Sequence, residues 1–514
     1  METPSIQQDA VIEWVKNGEG SLNLVARAGT GKTTTLMMIL PYTTGDTILL
    51  AYNKSIAEEI KGRLVSKKVH TRISAQTVHA LGYSSWRRVA EKVQLKADKV
   101  ATIVKGFSKN PEDFYIRNIA NICKFVSLAK QCAFGFLVPV TDREAWFELD
   151  DHHGVSDDLA DDDTVDQLVT ASIAVLEKSI ATDREIIDFD DMILAPLVHK
   201  APVYYKDWIL LDEAQDTNAA RRALALKCLK PITGRMIFVG DPKQAIYGFA
   251  GADSDAMDII KEELGAHELK LTVTYRCPKA VVREANKLVD DLVAHESAPE
   301  GIVRSMPVYD EKNQPWFLKN PPAVTSAILC RNTKPLIEQA YLFLANGIGC
   351  RVEGREIGEG LINLAKRWKN VTTTHQLTVK LSEYKLKEMQ KFMAKGKEDR
   401  AQAIEDKVGA LNAVISRVNS QNQFLVQDVV SSIRGLFGDT KPGDTPKVVT
   451  LSTIHKSKGR EWNTVYLLDR ANTLPSKYAR KEWQMNQEAN LEYVAITRSK
   501  NELVDLVVPR KKEV

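Results

Sequence analysis

A series of short apolar runs, each leading into a helix-like stretch, constrains this chain more than any other feature. In a first zone they are Leu22-Asn-Leu-Val25, Thr47-Ile-Leu-Leu-Ala51, Trp208-Ile-Leu-Leu211 and Met236-Ile-Phe-Val239. In a second zone they are Ala327-Ile-Leu-Cys330, Val448-Val-Thr-Leu451, Val465-Tyr-Leu-Leu468 and Leu503–Val508. A strand with one wet face alternates apolar and polar residues. A near-continuous apolar run is buried on both faces, as in a parallel sheet covered by helices. The fold class that follows is α/β with two parallel-sheet cores. A chain of 514 residues also exceeds what one hydrophobic core organises.

Two mainly helical stretches interrupt this rhythm. The expected division is a first core of residues 1–84 and 181–268 around a helical insertion, 85–180. A second core of residues 269–364 and 446–514 surrounds a smaller insertion, 365–445. In the first insertion, an acidic stretch from Glu148 to Asp166 reads as a solvated loop rather than as a metal site on His152 and His153. In the second, Leu381, Tyr384, Leu386, Met389 and Met393 read as the buried stripe of amphipathic helices.

Composition narrows the class. Apolar residues at 44% and charged residues at 27% are ordinary for a soluble globular protein. The net charge of +3 does not demand a polyanionic partner and leaves room for a local basic groove. The six cysteines include no C-x-x-C pair and read as buried reduced thiols, which argues against a disulfide scaffold, a zinc site or an iron–sulfur site. The start METPSIQQDA lacks the basic-then-apolar pattern of a secretory signal, and no run approaches membrane-spanning length. The expected compartment is cytoplasmic.

The first apolar run feeds Ala26-Arg-Ala-Gly-Thr-Gly-Lys-Thr33, a phosphate loop with alanine where the pattern G-x-x-x-x-G-K-[ST] has its first glycine. Backbone N–H groups of such a loop curl around phosphates, and the following helix N-terminus favours negative charge. Lys32 should reach the β- and γ-phosphates of ATP and Thr33 should bind Mg²⁺, with Ala28, Gly29, Thr30, Gly31 and Thr34 completing the cradle. The run Trp208–Leu211 ends in paired carboxylates. Asp212 suits Mg²⁺ coordination in the outer shell, and Glu213 suits a general base that orients and deprotonates water. After Met236–Val239 comes Gly240-Asp-Pro-Lys-Gln244, where Gln244 is placed to sense the γ-phosphate. Arg276 and Arg498 could stabilise the transferring phosphoryl group.

Taken in order, these motifs resemble those of the UvrD/Rep family of superfamily-one helicases over most of the chain. Pro4–Val11 looks like the family's adenine-reading glutamine motif, with Gln7 at the matching place. Asp212–Asn218 and Gly240–Ala252 are similar to its second and third motifs. Val273–Arg276 resembles the fourth, which implies that Tyr275 stacks on adenine and Arg276 meets the γ-phosphate. Ser452–Trp462 resembles the fifth, which assigns Gly459 to the nucleotide site and Glu461 to the ribose. Tyr493–Arg498 resembles the sixth, whose arginine finger is Arg498 here. Ala51–Glu59 and Thr77-Val-His79 look most like the F-box DNA helicase branch and its phage and bacterial relatives. The departures are the start of the phosphate loop (Ala26 and Arg27), Phe249 where many relatives have tryptophan, Ala250 where they have arginine, and a short second insertion.

The resemblance implies two RecA-like cores that use ATP and Mg²⁺ to move along single-stranded DNA 3′-to-5′ and unwind duplex. A motor on single strands needs stacking platforms and phosphate contacts rather than base-edge readout. Tyr52, Tyr247 and Phe249 match the stacking positions, and Thr77, His79 and His455 match backbone contacts. Single-stranded DNA and junctions with duplex are the implied partners, and the chain would act as a monomer. The alternative is an ATP-driven subunit of a larger repair, recombination or nuclease complex with little unwinding alone. Arg27 has no role from its sequence context.

Overall fold

The computed structural model describes residues 3–508 apart from 52–53, 67–71, 157–161, 182–183, 247–254, 347, 395–397, 438–447 and 481. Tyr52, Tyr247, Phe249 and Ala250 therefore lie outside the described residues. The chain divides into two units, one of residues 1–27 and 31–271, the other of 28–30 and 272–514.

In chain order the strands of the first unit are β1 (Leu22–Ala26), β2 (Thr47–Ala51), β3 (Ile73–Thr77), β4 (Gln94–Leu95), β5 (Ile186–Ile187), β6 (Trp208–Leu211), β7 (Arg235–Gly240) and β8 (His267–Leu271). Six of them form a sheet in the order β3-β2-β6-β7-β1-β8, every pairing parallel. The pleat sends alternate residues to opposite faces. Leu22, Leu24, Leu49, Leu210, Ile237 and Val239 share one buried cluster with the helix Ile6–Asn17 and the helix Lys32–Ile39. Ile48, Leu50, Ile209, Leu211, Met236 and Phe238 enter another with the helices Asp191–Val198 and Ala219–Lys227. Both faces are dry, which is why these strands read as apolar runs.

The helical insertion of this unit has a core of its own, built on Val104, Phe125, Trp146, Leu168 and Val175. Two buried lysines link it to the start of the helix that leads back toward the sheet. Lys99 meets Asp191 at 2.6 Å, and Lys130 meets Asp188 at 2.6 Å and Asp191 at 2.7 Å. The start of the acidic stretch departs from the expected loop. Glu148–His153 is the end of a helix, Arg143–His153, which Asp142 caps at its start and Gly154 ends in the left-handed conformation.

The second unit contributes β9 (Val273–Thr274), β10 (Val293–Ala294), β11 (Ile302–Pro307), β12 (Ser326–Cys330), β13 (Cys350–Val352), β14 (Val449–Thr453), β15 (Trp462–Leu468) and β16 (Ser499–Val507). Its six-stranded sheet runs β11-β16-β15-β12-β14-β13, again parallel throughout. Here the long helices Thr374–Ala394, Glu398–Ser420 and Val426–Leu436 do not form a separate core. Leu377, Leu381, Val414 and Val430 pack in the same cluster as Ile328, Leu451 and Tyr466 of the sheet. Leu386, expected on the buried stripe, is exposed instead. It follows Leu381 by five residues, which at 3.6 per turn rotates it to the far side of the helix.

Candidate active site

The order β6-β7-β1 brings three distant loops together. The phosphate loop follows β1, Asp212 and Glu213 follow β6, and Asp241–Gln244 follow β7. All three leave the carboxyl ends of neighbouring central strands, where open parallel sheets place their ligand sites. Gly31, with φ of +82°, turns the chain into the helix Lys32–Ile39.

Lys32 Nζ lies 3.1 Å from Glu213 Oε2, and the Thr33 hydroxyl donates to Asp212 Oδ2 at 3.2 Å. The Glu213 N–H donates to Asp212 Oδ1 at 3.0 Å. Glu213 itself has φ of 51° and ψ of 46°, a left-handed conformation that costs a non-glycine residue energy and persists where the surroundings over-determine it. Gln215 Nε2 donates to Glu213 Oε2 at 2.6 Å, while its Oε1 accepts from the Asp241 N–H at 3.1 Å. A Cβ at Gly240 would sit 2.3 Å from that Oε1, so only glycine permits the approach. The Gln244 carboxamide donates to Asp241 Oδ2 at 2.7 Å.

Charge in this site is unevenly compensated. Burial, followed by the like charge of Glu213, pushes the Asp212 carboxyl up to about 7, against the opposing pull of Lys32 and of the hydrogen bonds from Glu213 and Thr33. Burial alone would lower the Lys32 ammonium, but Glu213, Asp241 and Asp212 together outweigh it and hold the pKa above its ordinary value. The Thr33 hydroxyl and the Asp212 carboxylate are adjacent hard oxygen donors at a helix N-terminus, which fits Mg²⁺. Among the described residues no group of three or more His, Cys, Asp or Glu side chains makes another metal site.

Two adjacent glutamines, Gln7 and Gln8, lie on the helix beside the phosphate loop. Ser5 caps the helix Ile6–Asn17, and its partner in the reciprocal capping box is Gln8. Gln8 is buried on the face that carries Val11, Ile12 and Val15. Its Nε2 donates to Thr35 Oγ1 at 3.1 Å on the phosphate-loop helix and lies 3.4 Å from where a Gly31 Cβ would be. Gln7 is only half-buried on the same helix. Of two adjacent glutamines, the one three and four residues before buried Val11 and Ile12 is the one that helical phase turns inward, a signal present in the sequence. Thr34 is half-buried.

The remaining expected nucleotide residues belong to the second unit. Ala28, Gly29 and Thr30 group with it, the Gly29 carbonyl accepting from the Tyr275 N–H at 2.9 Å. Tyr275 is exposed, with its ring beside that of His295. Arg276 and Glu461 are brought together as an ion pair, and Lys500 pairs with the other oxygen of Glu461. Burial would raise the Glu461 carboxyl, but the two cations outweigh it and hold it below the usual range. Gly459 is exposed with φ of +82°. Arg498 is buried at 1% exposure, donating to the Val494 carbonyl at 2.9 Å, the Arg460 carbonyl at 3.1 Å and the Thr497 hydroxyl at 3.3 Å.

The three residues assigned to the DNA backbone, Thr77, His79 and His455, lie at like strand ends in the two units. Thr77 ends β3 and caps the next helix by accepting from the Ala80 N–H. Thr453 ends β14 and caps its helix by accepting from the Lys456 N–H. Two residues after each threonine is a half-buried histidine. Burial, aided by Arg221, lowers His79 to about 4; burial, aided by Arg331 and Lys458, lowers His455 to about 3. Both rings are neutral at physiological pH.

A strand feeding a phosphate loop, a neighbouring strand ending in paired carboxylates and a third ending in a buried glutamine define a phosphate-loop nucleotide-binding protein of the α/β class. The UvrD/REP helicase N-terminal domain family matches residues 7–264, and the UvrD-like helicase C-terminal domain family matches residues 448–504. The chain belongs to the UvrD/REP helicase family. It is similar to a probable DNA helicase II homolog of Mycoplasma pneumoniae, 26% identical over 305 residues, or 55% of this chain and 42% of that protein. It is similar to the ATP-dependent DNA helicase PcrA of Staphylococcus aureus, 26% identical over 327 residues, 56% of this chain and 40% of that one. The PcrA of Leuconostoc citreum is 26% identical over 297 residues, 54% and 38% of the two chains. The matches thus span about two fifths of the length of these curated relatives.

Proposed function

We propose that this chain is an ATP-dependent DNA helicase that moves 3′-to-5′ along single-stranded DNA and unwinds duplex. The observation that carries the ATP site is the pair of contacts joining the phosphate loop to the acidic strand end, Lys32 to Glu213 and Thr33 to Asp212. Lys32 is held where it would meet the β- and γ-phosphates. Glu213 is fixed by Gln215 and by its left-handed backbone, as a base that takes a proton from water must be. Mg²⁺, held by Thr33 and Asp212, would neutralise charge between the β- and γ-phosphates. Gln7 is the candidate to stand beside the base of the nucleotide, because both polar atoms of the Gln8 side chain are engaged within the protein, Oε1 with the Ser5 N–H and Nε2 with Thr35. Family membership supports assigning Tyr275, Arg276, Gly459, Glu461 and Arg498 to the same nucleotide. Arg498 would first have to exchange its carbonyl partners for phosphate oxygens.

The DNA track, its polarity and the role of Tyr52, Tyr247 and Phe249 as stacking platforms rest on the motif order and on the relatives' names. Thr77, His79 and His455 belong to the same proposal, as does action as a monomer in the cytoplasm. Among the described residues no helix is long and apolar enough to cross a membrane. Strand displacement with ATP on 3′-tailed and 5′-tailed duplexes is the test. Displacement of the 3′-tailed duplex is expected. Preference for the 5′ tail would overturn the polarity, and ATP turnover without displacement would favour the subunit of a larger assembly.

A further inference from the structure

Arg27 stands where the phosphate loop needs no side chain, yet its guanidinium is largely buried and pairs with Asp241 at 3.0 Å. Asp241 is completely buried. Its Oδ1 accepts from Arg27 and, at 3.1 Å, from the Lys243 N–H, while its Oδ2 accepts from Gln244 Nε2 at 2.7 Å. Its own N–H donates to Gln215, which also holds Glu213. A buried carboxylate is costly unless it is paired and hydrogen-bonded. Asp241 can therefore hold Gln244 in place only while a cation offsets its charge. Lys32 is the other nearby cation, but its charge is shared with Glu213 and Asp212 and is the one a nucleotide requires. Arg27 neutralises Asp241 and leaves Lys32 for phosphate.

We propose that Arg27 is a positioning residue: it compensates Asp241, which in turn orients Gln244 and, through Gln215, Glu213. The pairing ties the phosphate loop to the strand end that senses the γ-phosphate. The proposal rests on the ATP-site reading above.

The test measures KM for ATP and kcat of single-strand-stimulated hydrolysis in the full chain. The variants are Arg27→Gln, Arg27→Lys, Asp241→Asn, Arg27→Gln with Asp241→Asn, and Lys32→Ala, each checked for folding by thermal melting. Arg27→Gln leaves a bare buried carboxylate beside the phosphate site, so KM should rise about tenfold, with kcat lowered, on the scale of a lost charged hydrogen bond. Arg27→Lys keeps the charge and should stay near the wild-type KM. The double variant removes the uncompensated charge and should recover most of the KM lost in Arg27→Gln. A purely structural role would not produce that rescue. Wild-type KM and kcat in Arg27→Gln, or a double variant no better than Arg27→Gln, would overturn the proposal. Inactive Lys32→Ala beside an unaffected Arg27→Gln would sink the Arg27 role alone. Full activity in Lys32→Ala would sink the ATP site, and the Arg27 role with it.

Discussion

The two units end a central strand in nearly the same words and use them differently. In the first, Leu210-Leu211-Asp212-Glu213 ends β6; in the second, Leu467-Leu468-Asp469-Arg470 ends β15. A left-handed residue follows each strand, two residues beyond it at Glu213, with φ of 51°, and directly after it at Asp469, with φ of 59°. At the first strand end, two carboxylates face a single lysine and a hydroxyl, and Asp212 is left poorly compensated. At the second, Arg470 is clasped by Glu284 at 2.9 Å, Glu492 at 2.6 Å and Asp505 at 3.2 Å. A left-handed turn thus accompanies the proposed chemical site in one unit and an ion-pair cluster in the other. The difference lies in what the neighbouring loops supply. A phosphate loop brings Lys32 and Thr33 to the first site; a helix, Glu482–Ile496, and β16 bring carboxylates to the second.

The placement of the proposed nucleotide residues differs as well. In the first unit they leave the carboxyl ends of strands. In the second, Glu461 and Arg498 precede β15 and β16, at the amino ends. Thr453 ends β14 and His455 follows it, at the opposite end of that sheet.

This contrast can be broken at several points. The largest effect is expected from Glu213→Gln, which should lower ATP turnover by about 100-fold or more, the range for loss of a general base. Nucleotide binding, measured by fluorescence of an ATP analogue, should remain. Turnover within a few-fold of wild type would mean that the two strand ends do not differ as described. Arg470→Ala should instead act on stability. Three partly buried carboxylates would lose their shared cation, a cost of about 2–4 kcal/mol once partial solvation is allowed for. Urea unfolding should show that loss while turnover per folded molecule is kept; an unchanged midpoint would deny Arg470 its structural role.

The paired histidines sharpen the comparison. Both are held neutral, so the unfolded chain takes up protons below its ordinary histidine pKa while the folded chain does not. Their contribution to stability is complete above about pH 6.5 and falls as pH drops toward about 4 for His79 and about 3 for His455. Ring resonances in NMR should show neither histidine titrating between pH 5 and pH 8, two solution conditions chosen to bracket the ordinary value of about 6.5. A midpoint near that value for only one ring would show that the two units build this feature differently. The smallest effects are expected from the caps. Thr77→Ala and Thr453→Ala should each cost about 1 kcal/mol, and a marked inequality between them would separate the two threonines.

The parts of the fold that are legible in the sequence are those buried on both sides. Each apolar run is a strand of one of the two sheets. The strands not anticipated are β3, β8, β11 and β13, besides the short pairs, and these four are the edges of the two sheets. An edge strand such as His267–Leu271 or Ile302–Pro307 carries polar and exposed residues, so it lacks the continuous pattern of its inner neighbours. In the candidate site, Lys32, Thr33, Asp212, Glu213 and Gln244 announce themselves by motif. Asp241, Gln215 and Arg27 do not, because their importance comes from contacts between loops that only strand order brings together. Gln8, turned inward by helical phase, supports the phosphate-loop helix through Thr35. The start of the acidic stretch, Glu148–His153, shows the opposite case, in which acidic composition masks a helix marked by Asp142 and Gly154.

The most direct measurement of the proposed motor site is the rate of ATP hydrolysis as single-stranded DNA is added, in the wild-type chain and in Lys32→Ala. Turnover in the wild type should rise severalfold and saturate, and it should be absent in Lys32→Ala at every DNA concentration. Turnover indifferent to DNA, or a Lys32→Ala chain that hydrolyses ATP as fast as wild type, would contradict a motor site at the ends of β1, β6 and β7.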